Sequence, residues 1–184
     1  MTLDLVQHLK SRHLNINLHR PIIDHELGIC TFYCWNLSGK LVGYQQYNPL
    51  GNKKIFNSKL EGKYYTYRNK NFPTVFLWGL ESLYQSSGVV YLTEGIFDAA
   101  RMTNLGKSAI ASLTNNPPKD YINWLKMLNR KIVVVCDNDK AGLKLAKFGD
   151  YVEITPEGTD LGDSSPEYVQ HIISKYGAKE TDEY

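Results

Sequence analysis

The stretch VVVCDNDKAG (Val133–Gly142) drives an apolar, mostly β-branched run into two aspartates, Asp137 and Asp139, then resumes with the small residues Ala141 and Gly142. Two carboxylates in one corner repel each other and raise each other's pKa, so the pair calls for bound cations. The pattern recurs twice. VVYLTEGIFD (Val89–Asp98) ends an apolar strand at Glu94 and carries Asp98 in the first turn of the next helix; Asp137 stands 43 residues after Glu94. PEGTDLGD (Pro156–Asp163) follows a further strand and carries Asp160 and Asp163. Each acid also has a structural reading alone. Asp98 suits a helix N-terminus through the dipole, Asp137 or Asp139 can cap the next helix, and Asp160 can sit in a turn. The combination points further than any member.

Carboxylate oxygens suit hard ions, Mg²⁺ or Mn²⁺. A pair of such ions can hold the attacking and leaving oxygens in phosphoryl or nucleotidyl transfer. The candidate metal ligands are Glu94, Asp98, Asp137, Asp139, Asp160 and Asp163.

The elements that must position these acids follow from periodicity. After Gly88, the strands VVYLTEG, SAIASL, KIVVVCDND and YVEITP alternate with the helices IFDAARMTNLG, KDYINWLKMLN, AGLKLAKFG and SPEYVQHIISKYG. Tyr121, Ile122, Leu125 and Leu128 recur at helical spacing. Gly106 is placed to end the first helix and Pro166 to begin the last. Such alternation implies a parallel sheet with flanking helices, and ligands bind outside the carboxyl ends of its strands. All the acids above fall on that edge.

Upstream the pattern differs. Residues 1–20 read as a short helix with a polar tail. GICTFYCWN and KLVGYQQYN, joined by LSG, read as a β-hairpin. Pro49–Pro73 is polar, basic and tyrosine-rich, and predicts loops and short strands. Phe76–Ser86 reads as a turn into a short amphipathic helix. The expected organisation is a small basic α+β subdomain over 1–88, an α/β domain over 89–177, and a flexible tail over 178–184.

Composition narrows the classes. Of 184 residues, 42% are hydrophobic and 22% charged, as in an ordinary globular protein. No apolar run approaches the ~20 residues of a membrane span. The N-terminus lacks a signal peptide's apolar core, so the expected location is the cytoplasm. Cys30 and Cys34 have no second Cys/His pair at zinc-site spacing and read as same-face strand residues; Cys136 reads as a buried apolar residue. The net charge of +2 divides unevenly: residues 1–88 hold ten Lys or Arg against five Asp or Glu, and residues 89–184 hold eleven against fourteen. A basic half joined to an acidic half suits a phosphate-rich ligand on one side and cations on the other.

Residues 89–163 resemble a Toprim domain, the fold shared by bacterial-type DNA primases, topoisomerases, recombination-repair factors and some nucleases. The signature there is a strand-end glutamate plus D-x-D. Glu94 matches the glutamate, proposed in the family as general acid/base, and Asp137 and Asp139 match the metal-binding pair. CDNDKAGLKLA is similar to the D-x-D-x-A-G-x-x-A run of DnaG-type primases. Their third loop is typically K-D-P-D-E. Here Asp160 matches, Gly162 takes the second aspartate position, and Asp163 follows one residue later. PIIDHELG (Pro21–Gly28), KIFNS (Lys54–Ser58) and LWGL (Leu77–Leu80) are similar, in order, to segments of the primase core, so the resemblance spans roughly residues 20–165.

That resemblance implies a reduced, phage- or plasmid-like primase core: a nucleotidyltransferase making short RNA primers on single-stranded DNA from ribonucleoside triphosphates with Mg²⁺ or Mn²⁺. Lys54 is the carried-over lysine beside the site, and Lys63 or Lys70 would serve as the family's later one. Lys53, Lys54, Asn57, Lys59, Lys63 and Lys70 are the candidate nucleotide- or nucleic-acid-binding residues. Tyr64, Tyr65 and Tyr67 would stack bases or, in a strand, enter the core. No zinc-ribbon spacing is found, so a replicative helicase or a separate template-recognition subunit is an expected partner; a membrane is not. In a phage-encoded case the location is the host cytoplasm. The alternatives are a Toprim nuclease using the same acids, or a catalytically silent nucleic-acid-binding or replisome-adaptor module.

Overall fold

The computed structural model describes residues 3–71 and 75–177. The tail expected over 178–184 and residues 72–73 of the basic segment lie outside them. Two four-stranded sheets make the frame.

The first sheet is antiparallel, in the order β1 (Ile22–Asp24), β2 (Ile29–Trp35), β3 (Leu41–Tyr47), β4 (Tyr64–Arg68). β2 and β3 form the expected hairpin. Its turn is set by Asn36, whose side chain accepts from the Ser38 and Lys40 amides, with Gly39 at φ 71°. Alternation sorts the faces. Cys30, Phe32, Cys34, Val42 and Tyr47 are buried, whereas Tyr33, Trp35 and Tyr67 on the opposite face are exposed. β4 emerges from the basic segment, and its tyrosines divide: Tyr64 pairs with buried Tyr47 on the inner side, and Tyr65 and Tyr67 fall on the outer side.

Within residues 3–20 there are two short helices, α1 (Leu5–Ser11) and α2 (Ile16–His19), rather than one; residues 1–2 lie outside the described residues. His13 breaks the run at φ 58°. Each piece then has its own cap: Asp4 accepts from the Gln7 amide and Asn15 from the Leu18 amide.

The second sheet is parallel, in the order β6 (Ala109–Ala111), β5 (Val90–Thr93), β7 (Ile132–Cys136), β8 (Tyr151–Ile154). Every residue of β5 and β7 is buried, as expected of central parallel strands flanked by helices; the antiparallel sheet packs on one of those helices, through Phe32 and Tyr47 against Phe97 of α3 (Ile96–Thr103). α3 (Ile96–Thr103), α4 (Lys119–Met127), α5 (Gly142–Leu145) and α6 (Pro166–Gly177) supply the crossovers and the last cover. α5 is shorter than the nine-residue stretch AGLKLAKFG predicts and passes into a 3-10 turn at Ala146–Phe148.

The expected amphipathic helix after Phe76 is a 3-10 turn over Leu80–Tyr84. The reason lies just upstream. Trp78 exchanges two backbone hydrogen bonds with Ala111, both 3.0 Å, and so extends the β6 edge. Gly79 then turns at φ 84°, where a Cβ would stand 2.7 Å from the Ala109 carbonyl oxygen. That contact fixes the segment to the sheet before a helix can start.

One apolar cluster runs through both sheets. Phe97 of α3 meets Tyr47 and Phe32 edge-on, with centroids 4.9 and 5.9 Å apart, and Trp78 meets Phe32 at 6.3 Å. Among the described residues, no helix is long and apolar enough to cross a membrane.

Candidate active site

The carboxyl edge of the parallel sheet gathers the predicted acids. Glu94 follows the last residue of β5, and its backbone carbonyl accepts from the Leu113 amide. This tie links it to the loop after β6. The Glu94 side chain is raised in pKa by desolvation in the cleft, then by Asp137 and Asp139. Asp137 and Asp139 follow β7 and are exposed. Asp137 is also raised, by burial first, then by Asp160 and Asp139, with Lys53 opposing. Mutual repulsion across the edge is the arrangement the sequence implied.

The backbone around D-x-D is tightly wound. The Asp139 amide donates to the Asp137 carbonyl at 2.8 Å. The Asp139 carboxylate accepts from the Gly142 amide at 2.6 Å and so holds the turn that leads into α5. Gly142 has a steric cause: a Cβ there would overlap the Asp137 carbonyl oxygen and stand 2.9 Å from its amide nitrogen. The glycine of D-x-D-x-A-G therefore lets the helix start close against the strand end.

Asp98 sits deeper. Its Oδ1 accepts from the Gly162 amide at 2.8 Å. Burial, then Asp160, pushes its carboxyl up to about 7. It joins the α3 start to the third acidic loop. Asp160 and Asp163 in that loop meet Arg12, with Nη2 3.5 Å from Asp160 and Nε 3.2 Å from Asp163. The Asp163 amide also donates to Asp160 Oδ1 at 2.7 Å. Arg12 lies 4.8 Å over the Phe97 ring. Sequence reasoning missed this residue, because it stands far upstream and no local motif marks it.

The basic residues divide. Asn48 and Lys63 close a loop whose strand-like bridge pairs Asn52 with Gly62. Lys53 on it reaches Asp137 electrostatically. Lys63 feels Lys53, Arg12, Asp163 and Asp160, and lies 5.9 Å from the Tyr47 ring. These two face the acids. Lys59 points elsewhere, 5.5 and 5.9 Å over the Tyr65 and Tyr44 rings on the outer face of the antiparallel sheet. Asn57 is beside it, lining a shallow hollow with Lys59. Lys54 and Lys70 are exposed, and Lys54 is placed by its amide bonding to Asn52 Oδ1.

Among the described residues, no group of three or more His, Cys, Asp or Glu side chains is drawn together tightly enough to hold an ion alone. The donor chemistry still fits magnesium, which takes one or two carboxylates and fills its remaining positions with water and substrate phosphate. Glu94 and Asp137 are raised by desolvation first and by neighbouring carboxylates second, and a bound cation would favour the charged form of both.

Residues 91–156 match the Toprim-like family model. No curated protein matches the chain by sequence. Among solved structures, the chain is similar to a DnaG catalytic core, with a TM-score of 0.67 at 16% identity over 95% of this chain and 69% of that one. A DnaG primase catalytic domain bound to ssDNA gives 0.64 at 17%, over 95% of this chain and 58% of that one. The Aquifex aeolicus primase, with zinc-binding and RNA polymerase domains, gives 0.62 at 21%, over 83% of this chain and 40% of that one. The chain thus spans between two fifths and about two thirds of these proteins. Residues 91–156 are therefore Toprim-like, with Glu94 and the Asp137–Asp139 pair on the parallel sheet's carboxyl edge, and the chain shares the fold of a DnaG catalytic core.

Proposed function

We propose that this chain is a primase-like nucleotidyltransferase that extends RNA on a single-stranded DNA template. The observation that carries this reading is the meeting of Glu94, Asp137 and Asp139 at one edge, with Lys53 acting on Asp137 and Lys63 beside Asp160 and Asp163. Residues 1–88 would hold template and nucleotide, and the Toprim domain over 89–177 would do the chemistry. One compared structure holds single-stranded DNA on the same fold.

In the reaction a 3′-hydroxyl oxygen forms a bond to the α-phosphorus of a ribonucleoside triphosphate. The bond from that phosphorus to the β-bridging oxygen breaks, and pyrophosphate leaves. Mg²⁺ or Mn²⁺ held by Asp137 and Asp139 would supply charge neutralisation of the triphosphate. Glu94, with its raised pKa, takes the hydroxyl proton. Lys53 and Lys63 hold phosphate oxygens opposite the acids. Asp98, Asp160 and Asp163, the further candidate ligands, also position the edge through Gly162 and Arg12. Template choice falls to a partner, a replicative helicase or a separate recognition subunit, in the cytoplasm of a cell or phage host.

The test combines the protein, single-stranded DNA, labelled ribonucleotides and Mn²⁺, with Glu94→Gln alongside. Short RNA made by the wild type and reduced about 10²-fold or more in the variant is the expected result. Template cleavage without RNA would assign the acids to nuclease chemistry instead.

A further inference from the structure

A second site lies behind the acidic loop, where α1, α3 and α6 meet. It is a pocket of about 820 Å³ whose lining includes Lys10, His13, Leu14, Arg101, Leu105 and Val169. This volume is in the range that encloses a small organic ligand.

Arg101 is the unusual member. Its residue is 7% exposed. Its Nη2 donates to the Ser164 carbonyl at 2.6 Å, but its buried Nε meets no acceptor. Among the described residues no carboxylate pairs with it. The acid it feels is Asp163, and that carboxylate is ion-paired to Arg12. A buried guanidinium without a counterion is costly. The surroundings add positive charge instead of cancelling it. Lys10 is exposed at the rim, and His13 is close enough for Arg101 to disfavour its protonation. The one acid of the lining, Glu167, bonds Ser165 and its own backbone. The lining also has an apolar part: Leu14 and Val169 are buried, and Leu105 is 49% exposed.

We propose that this pocket binds a phosphate monoester of a mononucleotide, with the phosphate on Arg101 and Lys10 and the base against Leu14, Leu105 and Val169. Arginine offers a fixed fork of donors that matches phosphate oxygens. The site is separate from the acid corner and does not depend on the primase reading.

The test is calorimetric titration of the full chain with AMP, adenosine and inorganic phosphate, in EDTA so that metal-dependent binding at the acids is silent. AMP should bind saturably at one site, inorganic phosphate should compete with it, and adenosine should not bind. Lys10→Ala should weaken AMP about tenfold and Arg101→Met more, since hydrogen bonds to charged groups are the stronger class. Glu94→Gln should bind AMP as the wild type does. If Arg101→Met does not fold, Lys10→Ala and AMP-induced shifts of the Leu105 and Val169 methyl resonances decide. Equal binding of adenosine, no saturable binding of AMP, or AMP binding unchanged by Lys10→Ala with those methyl resonances unmoved would each overturn the proposal.

Discussion

Asp98 shows how a single residue can weaken the fold while ordering a site. Its carboxyl is buried and raised from 3.8 to about 7. A group raised in the folded state adds stability below its unfolded value of 3.8, and that stability is lost as pH rises through about 7. Asp98→Asn should therefore stabilise the metal-free chain at pH 8.5, by up to a few kcal/mol at ~1.4 kcal/mol per pKa unit. At pH 4 the two proteins should unfold alike. Urea titrations at both pH values check this; equal stability at pH 8.5 would contradict the buried-charge account. The same residue accepts from the Gly162 amide, so the variant should keep its loop contact through the amide oxygen. Gly142 gives a second prediction at this scale. Gly142→Ala forces a Cβ against the Asp137 backbone, and should cost about 1–3 kcal/mol. It should also impair catalysis more than an exposed substitution of Lys144, because the displaced atoms belong to the D-x-D strand end.

At the scale of elements, the antiparallel sheet has two unlike faces. The inner one packs on Phe97 and Trp78. The outer one carries a cross-strand row, Tyr33–Tyr44–Tyr67, with Tyr44 and Tyr67 stacked at 5.2 Å. Trp35 stands beside Tyr33 at 6.0 Å, and Lys59 stands over Tyr44. Aromatic rings with a nearby cation suit the bases and phosphates of a single strand. Tyr67→Ala should weaken single-stranded DNA binding by about 1–3 kcal/mol, whereas Tyr84→Ala, exposed outside this row, should leave it unchanged. Fluorescence anisotropy with a labelled oligonucleotide reads both. The division of Tyr64 from Tyr65 and Tyr67 follows from strand alternation, but the starting face is set only by pairing with β3. That pairing is a long-range fact, so periodicity alone left the three together.

At the scale of the whole molecule, the parallel-sheet part was legible because βα units carry their own punctuation. A buried strand, an acid at its end and a small residue opening the next helix are all local. The same grammar placed Glu94, Asp137 and Asp139 on one edge. What local patterns could not carry was the tie between halves. Arg12 reaches Asp160 and Asp163 from the start of the chain, and Trp78 replaces an expected helix with an added edge to β6. The 3-10 turn has that origin, tertiary contact overriding helical spacing, whereas the split of the N-terminal helix is local, at His13 with φ 58°. On the proposed reading, the acid edge should make stability metal-dependent. Mg²⁺ should raise the thermal midpoint of the wild type, since an ion that binds only the folded state stabilises it. A doubly substituted Asp137→Asn/Asp139→Asn protein should show little or no rise. Scanning calorimetry with and without Mg²⁺ reads the difference.

The most direct measurement is RNA synthesis on single-stranded DNA, followed against Mn²⁺ concentration in the wild type and in Asp137→Asn/Asp139→Asn. Short RNA that appears with metal in the wild type and is lost in the folded double variant is the predicted result. Synthesis that persists in the double variant, or a wild type that makes no RNA at any metal concentration, would contradict the assignment of this edge to nucleotidyl transfer.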